Sequence, residues 1–263
     1  MSDVPQIFDA KLRRLRRRRA ARTFADHAFV AEEVAREIGE RLNAMQRTFA
    51  DAVWSGAVSP PSAPPIDWTA GDATTRFVRP GGLVFEEEHL PFRERTFDLF
   101  ASVLTLHATN DLPGALTQIR RSLKAGGLFL AGMFGGRTLH ELRTSLAEAE
   151  VEIDGGLSPR VAPFVDVRDA GALLQRAGFD LPVADVDVLT AHYTHPLKLL
   201  GDLRGMGETN VLIERRRTFL KRRVLARACE IYMQRFKGAD GRVPATFEIL
   251  YLTGWAPAND AGA

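Results

Sequence analysis

His107 follows a near-continuous apolar run, Phe97 to Leu106 (FDLFASVLTL), and is the histidine best placed to do chemistry. Imidazole changes charge near neutral pH, so it suits a general base or a positioning group, and the same place in a fold also suits a plain structural hydrogen bond. His89, His140, His192 and His195 lack metal-ligand spacing, and no metal site is expected. A single cysteine, Cys229, excludes a multi-thiolate centre and an internal disulfide framework. No GxSxG turn, phosphate loop or cysteine–histidine nucleophile pattern occurs, and Gly126-Gly127 reads as a helix stop.

The elements that must position these groups alternate along the chain. Phe29, Val30, Val34, Ile38, Leu42 and Met45 recur at helical spacing within residues 27–45. Four prolines in residues 58–65 force a loop, flanked by short strand candidates at Ile66–Trp68 and Leu83–Phe85. Phe97–Leu106 reads as a strand buried on both faces, and Asp111 and Pro113 open a helix that stops at Ala125-Gly126-Gly127. Leu128–Phe134 is the next buried strand. Strand, capped helix and strand make a right-handed crossover, the unit of a doubly wound α/β sheet. Residues 138–150, 169–177 and 215–236 read as helices, Val183–Leu189 as an exposed strand and Phe247–Trp255 as a terminal strand.

At 263 residues, with 45% hydrophobic and 26% charged side chains, the chain has enough apolar surface for a packed core. No run approaches the roughly 20 apolar residues of a membrane helix, and the first thirty residues lack a secretory apolar stretch, so a cytoplasmic protein with no membrane span is expected. The net charge of +2 conceals an asymmetry, because Lys11, Arg13, Arg14, Arg16, Arg17, Arg18, Arg19 and Arg22 lie together with no acid among them. Such a segment is either the solvated face of an N-terminal helix or a dock for nucleic acid or an acidic partner. Residues 1–26 are thus read as a basic N-terminal helix or arm, deletion of residues 1–22 being expected to leave the thermal transition nearly unchanged, and residues 27–263 as the main domain.

Residues 89–133 carry more specific marks: Leu90-Pro91-Phe92, Phe97-Asp98-Leu99, the LxLH that ends at His107, and RxLKxGG from Arg121 to Gly127. Together they resemble class I S-adenosylmethionine-dependent methyltransferases of the type 11 group, which implies a mostly parallel seven-stranded Rossmann-like sheet with helices on both faces. FGGRTLHELR (134–143), residues 155–179, DLRGMGETN (202–210) and GRVPATFEILYLTGW (241–255) are similar to the branch that contains the mitochondrial complex I assembly factor with arginine hydroxylase activity. That branch lies near the biotin-pathway carrier-protein methyltransferases, and residues 136–180 are its insertion.

The resemblance implies S-adenosyl-L-methionine as cofactor, bound by Gly56 in the first turn, Asp67 on the ribose, Glu86 and Glu87 on the adenine side, and Leu106 beside His107. The cofactor motif is degenerate: Trp54 stands where an acid is expected and Val58 replaces a glycine. Trp54 either fills the pocket or joins the core. Three readings follow. One is a transferase acting on a protein or carrier-bound acceptor, and another a pseudo-methyltransferase serving as an assembly scaffold. The third, protein-arginine hydroxylation, needs electrons and oxygen that no residue pattern supplies. Arg160, Tyr193 and Arg204 are expected to rim a partner surface, on loops that include 158–164 and 202–210, where Gly205 and Gly207 favour turns.

Overall fold

The computed structural model describes residues 4–60, 66, 68–78 and 82–258, so Asp67 lies outside the described residues. Seven strands, β1 (Ala52–Ser55), β2 (Trp68–Asp72), β3 (Leu83–Val84), β4 (Phe97–Val103), β5 (Leu123–Phe134), β6 (Asp180–Tyr193) and β7 (Val243–Trp255), form one sheet in the order β3-β2-β1-β4-β5-β7-β6. The first five run parallel, and β7 is antiparallel to both β5 and β6. This is the expected Rossmann-like methyltransferase sheet. The strand order turns back on itself between β1 and β4, where doubly wound sheets open a ligand crevice at their carboxyl ends.

Alternation along the strands divides the core into two layers. Trp54, Leu99, Ala101, Leu128 and Leu130 pack with Val34, Ile38 and Leu42 of α2 (Phe29–Ala44). Val53, Phe100, Phe129 and Ala131 pack on the other side with Leu116 and Ile119 of α3 (Leu112–Ser122) and Leu174 of α5 (Val167–Arg176). Each fully buried side chain of this size stabilises the fold by about 1.5–3 kcal/mol relative to its exposed state. Beyond α3, α4 (His140–Asp154) and α7 (Arg222–Phe236) pack against one another beside the antiparallel strands.

Helix α3 begins as its sequence requires, with the Asp111 carboxylate accepting from the Gly114 amide at 2.8 Å and proline in the first turn. Its end differs from the expectation. The helix stops at Ser122, and Leu123 already pairs with Phe97, so Lys124 to Gly127 form an irregularity within β5 instead of a helix stop. Residues 215–236 are helical only from Arg222. A further helix, α6 (Pro196–Met206), absorbs most of what read as the turn-rich segment 202–210. His195 caps it through its ring nitrogen to the Leu197 amide at 3.2 Å. Gly205 serves a close approach inside this helix, since a Cβ there would lie 2.0 Å from the His27 ring.

The N-terminal basic segment is also packed. Asp9 caps α1 (Ala10–Ala20) by accepting from the Leu12 amide at 2.9 Å, and three arginines in its last turn suit the negative end of the helix dipole. Helix α1 lies against α6, Phe8 bridges to Leu212, and Phe8, Arg17 and Ala20 are buried. Among the described residues no helix is long and apolar enough to cross a membrane.

Candidate functional site

The carboxyl ends of β1 to β4 gather four acids and three hydroxyls. Strand β1 ends in Ser55, whose hydroxyl donates to Glu87 at 2.8 Å, and Ser102 and Thr105 share a hydrogen bond at 2.7 Å beside it. Strand β2 ends in Asp72, which accepts from the Thr74 amide at 3.0 Å. Glu86 and Glu87 follow β3, and Glu208 reaches the same edge from the loop after α6. The acid that ends β2 is Asp72, while Asp67, the residue expected on the ribose, lies outside the described residues. The sequence signal for Asp72 was weak, an acid closing the short stretch Trp68-Thr-Ala-Gly-Asp.

Helix α1 lays its arginines across these acids. Arg17 pairs with Asp72 and reaches Glu208 at 3.6 Å, Arg14 pairs with Glu86 at 3.0 Å, and Arg13 lies 3.8 Å from Glu87 and donates to the Thr105 carbonyl. Burial disfavours the Arg17 charge, but Asp72, Glu208 and Glu87 outweigh it and hold the guanidinium firmly protonated. Burial likewise raises the Glu208 carboxyl, and the nearby His107, Arg17 and Arg13 bring it below the usual glutamate range. His107 Nε2 meets Glu208 Oε2 at 3.0 Å, and its ring packs on Phe134 and Phe164.

Beneath this layer, Trp54 is fully buried in the core. Its indole donates to the Val58 carbonyl at 2.9 Å and meets Trp68 edge-on at 5.3 Å, so it ties down its own turn. Gly56 has φ +154°, and a Cβ there would approach the Val103 carbonyl to 3.0 Å, which explains why this glycine of the turn survives. The space beside the turn, between Ala57, Leu104, Phe134 and Met206, measures about 20 Å³. That is roughly one water, whereas sites for nucleotide-sized ligands run to several hundred Å³. Among the described residues, the space beside the turn is thus far smaller than a nucleoside cofactor, and the acids at the strand ends are bonded to arginines. Leu106 is buried in the short 3-10 turn Leu106–Ala108.

A larger cavity of about 220 Å³ opens on the other side of His107. Leu139, Leu142, Leu146, Phe164, Leu200 and Leu203 wall it, and Arg160 and Arg204 also line it. Of the expected rim residues, Arg160 and Arg204 line this cavity together with His107, on different supports. Arg160 is bound to the buried Glu150, which also takes the Ser158 hydroxyl and amide, whereas Arg204 is exposed on α6. Tyr193 does not line this cavity. It is buried at the end of β6, where burial and Asp202 push its phenol well above the usual range. Asp72 and Glu208 are site acids that the sequence did not single out, and Arg17 was read there only as one of a basic cluster. Among the described residues no three His, Cys, Asp or Glu side chains gather as a metal-holding group.

Residues 72–131 match the family profile described as a methyltransferase domain. The chain is 38% identical over 265 residues to the mouse arginine-hydroxylase NDUFAF5, mitochondrial, covering 95% of this chain and 77% of that protein. It is 47% identical over 172 residues to the zebrafish protein of the same name, with 65% of this chain and 53% of that one aligned. In that and the human alignment the chain spans about half the length of the relative. Malonyl-[acyl-carrier protein] O-methyltransferase of Xylella fastidiosa is 34% identical over 171 residues, or 65% of this chain and 56% of its own length. Among solved structures, a candidate methyltransferase from Bacillus halodurans superposes with a TM-score of 0.53 at 16% identity, covering 83% of this chain and 97% of that one.

Proposed function

Because the chain belongs to the methyltransferase-fold family that includes the mitochondrial arginine-hydroxylase NDUFAF5, we propose that it acts as a non-catalytic member of that fold, a scaffold that engages a protein partner. The observation that carries this reading is the buried Arg17–Asp72 ion pair, in which the chain's own guanidinium takes the carboxylate at the end of β2 that a nucleoside's ribose would need. The fully exposed ring of Phe219 and the exposed Arg204 supply an apolar and a charged anchor for a partner. Calorimetric titration with S-adenosylmethionine and S-adenosylhomocysteine tests it. Absence of heat and of thermal stabilisation at millimolar ligand supports the scaffold, and saturable binding overturns it.

One observation favours a second reading, a transferase acting on a protein or carrier-bound acceptor. His107, bonded to Glu208, lines a cavity at the carboxyl edge of the sheet, a suitable place for a group that orients or deprotonates an acceptor. Under this reading the cofactor would enter only after α1 moves.

A further inference from the structure

The apolar cavity beside His107 adjoins a wide basic cleft of about 600 Å³, and Arg204 and Thr209 line both. Arg16 and Arg19 from α1 line the cleft as well. Its positive charge is left over: Arg19 and Arg204 have no carboxylate partner among the described residues, and Arg16 is bonded only to the Thr209 hydroxyl, with its Nε buried and unpaired. Burial, and then the like charges of Arg215, Arg19 and Arg204, make the Arg16 proton easier to lose than that of an ordinary arginine. Unlike Arg13, Arg14 and Arg17, these guanidinium groups are held close together without an acid to neutralise them. That is the electrostatic condition of an anion site.

We propose that the cleft and cavity form one binding site for a small amphiphilic anion: an unbranched alkyl chain whose phosphate or carboxylate head is held by Arg16, Arg19 and Arg204. The chain would lie against Leu139, Leu142, Phe164 and Leu203, where apolar walls favour aliphatic groups over water. Charge complementarity sets the orientation, because Glu208 at the inner end repels an anionic head and the arginines at the outer end attract it. The site shares Glu208 with the small space beside Gly56 and takes its arginines from α1 as that helix packs in this structure.

Calorimetry with monomeric octyl phosphate tests it, with inorganic phosphate, octanol and phosphatidylglycerol vesicles as the other arms. Octyl phosphate is expected to bind saturably at one site and more tightly than phosphate or octanol. Arg204→Glu, at an exposed position, should weaken it about tenfold or more while leaving the melting curve unchanged. Ala162→Trp, which fills the cavity, should abolish it. Equal affinity for inorganic phosphate and octyl phosphate overturns the proposal, as does undiminished binding by folded Arg204→Glu. Retention on the vesicles without binding of monomeric octyl phosphate also overturns it, since the arginines are then a surface patch and not the mouth of a pocket.

Discussion

Arg17 and Asp72 meet in an ion pair whose side chains are 4% and 1% exposed, at the crossing of the N-terminal helix and the carboxyl end of β2. Removing one partner of such a pair leaves a buried uncompensated charge, whereas replacing both with apolar groups does not. Arg17→Met is therefore expected to destabilise the protein by about 3–5 kcal/mol in urea unfolding, and Arg17→Met with Asp72→Leu to recover most of that loss. Equal stability of the wild type and the single variant would show that the pair does not hold α1 in place.

Deleting residues 1–22 removes that pair together with the buried side chains of Phe8 and Ala20. As a free basic arm, the segment would leave the thermal transition unchanged on deletion. Its packing predicts instead a fall in Tm of roughly 10 °C, taking about 3–5 kcal/mol for the pair and 2–4 °C per kcal/mol for a domain of this size. Differential scanning calorimetry of the two proteins reads the difference directly.

Arg160 and Arg204 line the same cavity but should separate on mutation. Glu150 is 0% exposed and depends on Arg160, so Arg160→Ala is expected to lower stability by about 3 kcal/mol. Arg204→Ala, exposed on α6, should stay within about 0.5 kcal/mol of wild type. Denaturant midpoints of the two variants check this, and a loss of partner binding in Arg160→Ala then has to be read against its stability.

Acid should weaken the fold through Glu150 and Glu208. Burial raises both carboxyls, but Arg160 and Ser158 for Glu150, and His107 with Arg17 for Glu208, bring them below the ordinary value of 4.5. The unfolded chain then takes up protons first, so this stabilisation is complete above the unfolded value and is lost as pH falls through the lower folded ones. Stability measured between pH 6 and pH 3 should decline below about pH 4.5, and Glu150→Gln should make the decline shallower. An unchanged slope in the variant would remove Glu150 from the account.

Some of the site was legible because its signals are local. The Asp111 cap, the apolar run of β4 and its turn into His107 depend on neighbours within a few residues. Asp72 was missed for the opposite reason: β2 is five residues long with mixed burial, and no periodicity marks where it ends. Arg13 and Arg17 carried a faint signal, a spacing of four that places both on one helix face, but eight basic residues in twelve offered several such pairs.

What the sequence by itself determined is the sheet and the edge at which ligands of such folds bind, since hydrophobic period, caps and family motifs are properties of contiguous residues. Only the tertiary structure decided what occupies that edge. Which arginines are spent on Asp72, Glu86 and Glu87, and which remain free around Arg204, follows from the rotation of α1 about its axis and from the angle at which it docks on α6. Both are set by contacts between residues far apart in the chain, Phe8 with Leu212 and Arg17 with Glu208 among them, and no local pattern encodes them.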